Sequence, residues 1–346
     1  MALAMLPFSL TVLCAGWFML QSPFTAPMVE RNVEQINAVL TRAMAQQVSL
    51  QWLLPRVQEA LLTQDLIALD MLLGIANDHD VLLPRPMLED IAQLDADRSG
   101  IVARTTACGA CAVDINSCET LSQIGACAVP FELTPAGDVN ALRRAGQNYV
   151  NGVPVDQLDL GLAIVGIGAT GAVLATGGTS YTIKAGSSII RIAARLGTLT
   201  PALSARLGQL VADAVRWDLM SDLARGSIAP SAMVDTAKLA ELSDIGRNLQ
   251  KVATSTSVAD TVSLLRHVDS AQDAARLAQI TQALGPRSRG AFAVLGKTRV
   301  FRATVRISNL AIGASLAVYA LALQILIFVT QRVGIGFLRM AIGRYA

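Results

Sequence analysis

Two hydrophobic patterns run along this chain. One is the long uncharged run. The other is the apolar stripe at spacings of three and four that marks one face of a helix. Three runs are of the first kind. MALAMLPFSLTVLCAGWFML opens the chain, and no charge appears before Glu30. LGLAIVGIGATGAVLATGG covers 160–178, and ISNLAIGASLAVYALALQILIFVT lies between Arg306 and Arg332. A helix needs about 20 apolar residues to cross a bilayer. All three are therefore expected to span one: 1–24 as an anchor, 158–178 as a glycine-rich helix and 307–330 as a last span. The first lacks the basic flank of a secretory signal, and Phe24 and Pro27 surround its only small-residue exit, Ala26. TVL before Cys14 lacks the small residue of a lipoprotein signal. An uncleaved anchor is the expectation.

Helical stripes fill the rest. Val33, Ile36, Leu40 and Ala43 share a face, then Leu50, Leu53, Leu54 and Val57, then Leu66, Leu69, Leu72, Leu73 and Ile75. Beyond the second run, Leu203, Leu207, Leu210, Val211, Val215 and Leu219 follow Thr200-Pro201, a cap and first-turn proline. Leu239, Leu242, Ile245, Leu249 and Val252 make another stripe. Ser257-x-x-Asp260 opens a third stretch that closes at Gly285-Pro286. The predicted fold class is an all-α integral membrane protein: about three transmembrane helices, helical extramembrane modules and a disulfide-stapled loop.

Charge sets the expected topology. The net charge of +2 conceals a split. Residues 25–159 hold 17 acidic and 8 basic side chains, and residues 177–307 hold 9 acidic and 17 basic. Lys and Arg collect on the cytoplasmic side of membrane spans. Lys184, Arg191 and Arg195 follow the second run, and Arg287, Arg289, Lys297, Arg299, Arg302 and Arg306 precede the third. This predicts an extracytoplasmic module at 25–157, a cytoplasmic module at 179–306 and a basic tail at 331–346. The localisation it implies is a bacterial inner membrane, crossed several times. The six basic residues from Arg287 to Arg306 would hold lipid headgroups. Gly161, Gly168, Ala172 and Ala175 fall on one face of the second run, where small residues let another helix approach closely.

Four of the five cysteines, Cys108, Cys111, Cys118 and Cys127, lie within residues 107–129. Zinc knuckles come as two close pairs, and here the second pair is eight residues apart. CGAC resembles a redox motif locally but lacks the preceding strand of that fold. In an oxidising compartment four cysteines read as two disulfides. Nested pairing, Cys108–Cys127 with Cys111–Cys118, would make a compact loop; three connectivities are open.

Other candidate chemistry is thin. NDHD at 77–80 lacks further converging ligands. DADRSG at 95–100 begins like a calcium loop, but Thr106 stands where the bidentate glutamate belongs. AFAVLGKT puts Lys297 and Thr298 in phosphate-loop positions, yet its bulky interior and lack of a preceding strand oppose nucleotide binding. His267 is expected on a helix surface. With two histidines in all, His-based catalysis has little material. Few aromatics and ordinary charge density oppose nucleic-acid binding. No metal and no cofactor are expected. The expected partners are the lipid bilayer and other membrane proteins or a second copy. The leading function is a non-catalytic accessory, assembly or scaffold component of an envelope complex, acting through helix–helix contacts. Two alternatives are an extracytoplasmic thiol-disulfide oxidoreductase using Cys108 and Cys111, and a channel or transporter subunit.

Overall fold

The computed structural model describes residues 26–96, 101–176, 181–304 and 323. Asn37–Phe301 form one compact unit. Residues 1–36 and 302–346 form a second, whose described residues, 26–36, 302–304 and 323, are helical. The helices are α1 (Ala26–Ala45), α2 (Leu50–Leu62), α3 (Leu66–Asp78), α4 (Arg85–Ala96), α5 (Ile101–Val113), α6 (Leu121–Gln123), α7 (Val129–Leu133) and α8 (Pro135–Val150). They continue as α9 (Gln157–Thr176), α10 (Tyr181–Arg195), α11 (Pro201–Ala214), α12 (Met220–Ala224), α13 (Ala240–Ser255), α14 (Val258–Leu264), α15 (Ala271–Leu284) and α16 (Ser288–Leu295). Among the described residues there is no strand, only an isolated antiparallel bridge between Val215 and Val234. The all-α part of the prediction holds.

Side-chain caps set many of the boundaries. A helix start leaves backbone N–H groups unpaired, and a Ser, Thr or Asp oxygen accepts one of them. Asp65 accepts from Ala68 N at 2.9 Å to open α3. Thr200 accepts from Leu203 N to open α11. Ser257 accepts from Asp260 N, and its hydroxyl donates to the Asp260 carboxylate, to open α14. The stretch from Ser257 to Gly285 is two helices rather than one. Ser270 repeats the capping device, accepting from Asp273 N at 3.2 Å, and Val268 before it is extended. Gly285 ends α15 at φ +58°, where a side chain would be strained.

The centre of the Asn37–Phe301 unit is α10. Every residue from Lys184 to Ala193 is buried, with α9 on one side and α13 and α14 on others. α10 and α13 cross backbone to backbone: a Cβ placed on Gly186 would lie 2.5 Å from Gly246 Cα. The apolar residues of α10, Ile189, Ile190 and Ile192, are buried, as are Ile245 and Leu249 of α13 and Val262 of α14, the helices packed against it. Burying each such side chain is worth roughly 1.5–3 kcal/mol before chain entropy opposes it.

The integral-membrane reading is corrected here. Among the described residues no helix is long and apolar enough to cross a membrane. The second run, taken as a span over 158–178, forms α9 and packs within the unit. Gly161 lies against Val211 and Trp217, Gly166 against the Asp138 carboxylate and Gly168 against Val234. Asp159, in the first turn of α9, is buried and paired with Arg144 at 2.8 Å. Two members of the small-residue face, Gly161 and Gly168, thus meet this chain's own side chains. The runs at 1–24 and 307–330, apart from residue 323, and the tail at 331–346 lie outside the described residues. So the prediction of three transmembrane helices, and with it the membrane character of the fold, has no support among the described residues. The expected boundary at 158–178 falls inside one unit, with 37–157 and 181–301 packed together.

Candidate functional site

Two constructions stand out in the Asn37–Phe301 unit: a buried ion cluster and an apolar cleft walled by a disulfide. The cluster joins the acidic half of the sequence to the basic half. Arg191 of α10 donates from Nη2 to Glu132 Oε2 of α7 and from Nη1 to Asp138 Oδ1 of α8. Lys184, two turns earlier on α10, donates to Asp138 Oδ2 and to the Thr134 carbonyl at 3.4 Å. Ser188 between them donates to the Glu132 carbonyl at 2.9 Å. Arg195 donates to Glu132 Oε1 at 3.2 Å and to Asp114 Oδ1 at 3.0 Å. Glu132, Asp138, Lys184 and Arg191 are all under 5% exposed.

The electrostatics follow from burial and pairing. Burial pushes the Lys184 ammonium below its ordinary range, against the pull of Asp138. Burial also works against the Arg191 charge, but Glu132, Asp138 and Asp159 outweigh it and hold the guanidinium above its usual value. Arg195 is lowered by burial and by the neighbouring Arg144. Asp159 Oδ1 and Arg191 Nε face one another at 3.7 Å, and neither has a hydrogen-bond partner among the described residues. A polar cavity of about 230 Å³ adjoins them, bounded by Arg144, Asp159 and Arg195.

Glu132, Asp138 and Ser188 did not figure in the sequence reading, and Lys184, Arg191 and Arg195 counted there as cytoplasmic markers. The signal was present in another form. Lys184, Ser188, Arg191 and Arg195 recur at four, three and four residues on an otherwise apolar helix, a polar stripe too narrow for a solvent face. Some of the opposite charges of the two halves are mutual partners: Lys184, Arg191 and Arg195 pair with Asp138, Glu132 and Asp114, and Arg289 with Asp70.

The cysteines form two nested disulfides, Cys108–Cys127 and Cys111–Cys118, with Cα–Cα separations of 5.3 and 4.7 Å. Cys108 and Cys111 are therefore bonded to different partners. Both sit on α5, one turn apart. Asp114 ends that helix by accepting from Asn116 N at 3.2 Å, and Thr120 opens α6 by accepting from Gln123 N at 3.0 Å. Cys127 lies in a π-helical turn, Ile124–Ala128, set between α6 and α7. Ile115, 1% exposed, plugs the smaller loop.

The cleft beside the larger loop has a volume of about 730 Å³. Leu66, Leu69 and Leu73 of α3 and Leu88, Ile91 and Leu94 of α4 give it apolar walls. Asp70, Arg104 and Glu119 contribute polar groups, and Cys108 and Cys127 lie in its lining. The spacings 66/69/73 and 88/91/94 place each set on one helical face. The sequence stripe through Leu66–Ile75 reads as one apolar helical face; part of it lines this cleft.

The remaining predicted positions are scattered. Gly161 and Gly168 pack inside the unit, as described, and the side chains of Ala172 and Ala175 lie outside the described residues. Of the lipid-headgroup candidates, Arg289 pairs with Asp260 at 3.2 Å and Asp70 at 3.4 Å and donates to the Ile67 carbonyl at 2.9 Å. Lys297 pairs with Asp269 and lies 3.6 Å from Asp273. Arg287 donates to Asn37 Oδ1 at 3.4 Å. Arg299 adjoins the Gln47 amide, Arg302 is exposed, and Arg306 lies outside the described residues. Lys297 and Thr298 begin a helical segment rather than completing a phosphate loop. His79 caps the end of α3. Most of DADRSG is outside the described residues. Among the described residues no group of three His, Cys, Asp or Glu side chains is placed to hold a metal ion.

His267 departs from expectation. It is half-buried and stacked on Phe292 at 4.6 Å between ring centroids, with Phe301 edge-on beyond. Burial, then Arg266 and Lys297, push its pKa down to about 4.

Comparison with known protein families, with curated proteins and with solved structures finds no match to this chain.

Proposed function

We propose that this chain is a non-catalytic binding protein of an oxidising compartment, an accessory component that holds an apolar segment of a partner in the cleft between α3, α4 and the disulfide loop. The observation that carries this reading is the cleft itself: about 730 Å³, seven leucine or isoleucine side chains in its lining, and polar groups confined to Asp70, Arg104, Glu119 and a few others. Concave apolar surface with a few polar anchors is the usual form of a binding site. Several charged groups elsewhere pair with one another, and the ion cluster serves the packing of α7, α8 and α10. Two disulfides suit an oxidising environment, because reducing compartments keep thiols free. The oxidoreductase alternative in its C-x-x-C form is disfavoured, since a redox couple of that kind bonds its two cysteines to each other, and Cys108 and Cys111 are bonded apart.

The test is binding of an apolar fluorescent probe, N-phenyl-1-naphthylamine, to the wild type and to Leu73→Arg and Leu88→Arg. Leu73 is partly exposed in the cleft wall and Leu88 is 45% exposed, so either charge can be accommodated without unfolding the protein. Each variant should weaken probe binding at least tenfold at an unchanged unfolding midpoint. Equal binding by all three proteins would overturn the reading.

A further inference from the structure

We propose that the Cys108–Cys127 disulfide is an exchange site, and that the partner segment held in the cleft carries a cysteine thiol. The inference deepens the binding reading above and rests on it. Three observations converge. Both sulfur-bearing residues lie in the lining of the cleft, so an occupant can reach the disulfide. Cys108 is partly exposed and Cys127 is 9% exposed, so Cys108 is the more accessible half of the bridge and Cys127 the leaving one. Cys127 sits in a π-helical turn, a widened turn found repeatedly at functional positions.

The second disulfide offers a contrast. Cys111 is fully buried, and Cys118, though partly exposed, lies outside the cleft lining. The two bridges thus divide between them a structural and a reactive role.

The step balances without an external oxidant. The partner thiolate attacks Cys108 Sγ, a partner–Cys108 disulfide forms, and the Cys108–Cys127 bond breaks with its electron pair leaving on Cys127 Sγ. The reverse attack by the Cys127 thiolate on Cys108 restores the intramolecular bridge and expels the partner thiolate.

The experiment uses the full chain with Cys14→Ser, so that every thiol observed comes from the four bridged cysteines. Two probes are compared at equal thiolate concentration: a capped pentapeptide with cysteine flanked on each side by alanine and leucine, and glutathione. After alkylation of free thiols, peptide mapping should place the pentapeptide on Cys108 and the alkyl group on Cys127, with Cys111–Cys118 intact. The pentapeptide should react at least tenfold faster than glutathione, and Leu88→Arg should reduce that ratio to near one. Equal rates for the two thiols in the unsubstituted cleft, or first reaction at Cys111 or Cys118, would overturn the proposal. N-phenyl-1-naphthylamine separates the two readings. If the dye binds the cleft and the peptide is not captured, exchange fails while the binding site stands; if neither occurs, both fail.

Discussion

Arg191 on α10 is clamped to Glu132 on α7, a residue 59 positions earlier in the chain, and both side chains are almost fully buried. The pair is fastened further by Asp138, which takes Arg191 Nη1 on one oxygen and Lys184 on the other. Charges this deep have lost their water, and they are tolerated only because each is met by an opposite one.

Removing Arg191 alone should therefore be severe. Arg191→Met leaves Glu132 without its nearest guanidinium and Asp138 with only Lys184, and the expected loss is about 3–5 kcal/mol of folding free energy. Arg191→Lys keeps the charge but not the fork that reaches two carboxylates, so it should recover only part. The double variant Arg191→Met with Glu132→Gln should lose less than the sum of the single variants. The exposed Arg206–Glu241 pair makes the control: Arg206→Ala should hardly move the urea midpoint. Equal effects at Arg191 and Arg206 would contradict the burial argument.

Much of the architecture was legible in the sequence. The starts of α11 and α14 could be read from Thr200-Pro201 and Ser257-x-x-Asp260, because a cap is a local device encoded within four residues. The nested cysteines were legible as one of three pairings. The ion cluster was not, because Glu132 and Arg191 are far apart in sequence and only packing brings them together. The second apolar run misled for a related reason. A glycine-rich helix reads alike whether lipid or protein covers it, and Gly161, Gly166 and Gly168 are small here to admit Val211, Asp138 and Val234 of the same chain. The cleft was hidden because its lining leucines have the spacing of a core stripe.

Two glycines in helices should respond in opposite directions to alanine. At Gly186 a methyl group would lie 2.5 Å from Gly246 Cα, backbone that cannot yield without separating α10 from α13. Gly186→Ala should cost about 1–3 kcal/mol or more. At Gly74, inside α3, a methyl group meets nothing within 4 Å. Gly74→Ala should stabilise by about 0.5–1 kcal/mol through helix propensity and reduced freedom of the unfolded chain. Denaturant midpoints of the two variants check both signs.

His267 gives the protein a pH dependence on the acid side. Its pKa is about 4 when folded, against an ordinary histidine near 6.5, because burial and the nearby Arg266 and Lys297 oppose its charge. Between those values the unfolded chain binds the proton and the folded one does not. This contribution is fully present above pH 6.5 and is lost as pH falls towards 4. With partial exposure discounted, the loss is roughly 1–2 kcal/mol. His267→Phe keeps an aromatic ring against Phe292 and removes the titration. The wild type should lose ground to this variant as pH drops from 7 to 4.5, and parallel stability curves would rule the mechanism out.

The two disulfides should contribute unequally to stability. A bridge restricts the unfolded chain more when the loop it closes is longer, and the separations here are 19 residues for Cys108–Cys127 and 7 for Cys111–Cys118. Loop-closure entropy gives about 3 kcal/mol for the first and about 2.5 kcal/mol for the second. Packing reverses the order of their accessibility to reductant. The longer bridge lies in the lining of the cleft, whereas Cys111 of the shorter one is fully buried. In graded dithiothreitol, Cys108–Cys127 should open first, in the folded protein, while Cys111–Cys118 opens only with unfolding. Mass analysis of alkylated intermediates should then find a two-thiol species labelled at Cys108 and Cys127 that keeps its helical circular dichroism. A first intermediate labelled at Cys111 and Cys118, or simultaneous opening of both bridges, would show that accessibility in the folded state does not govern their reduction.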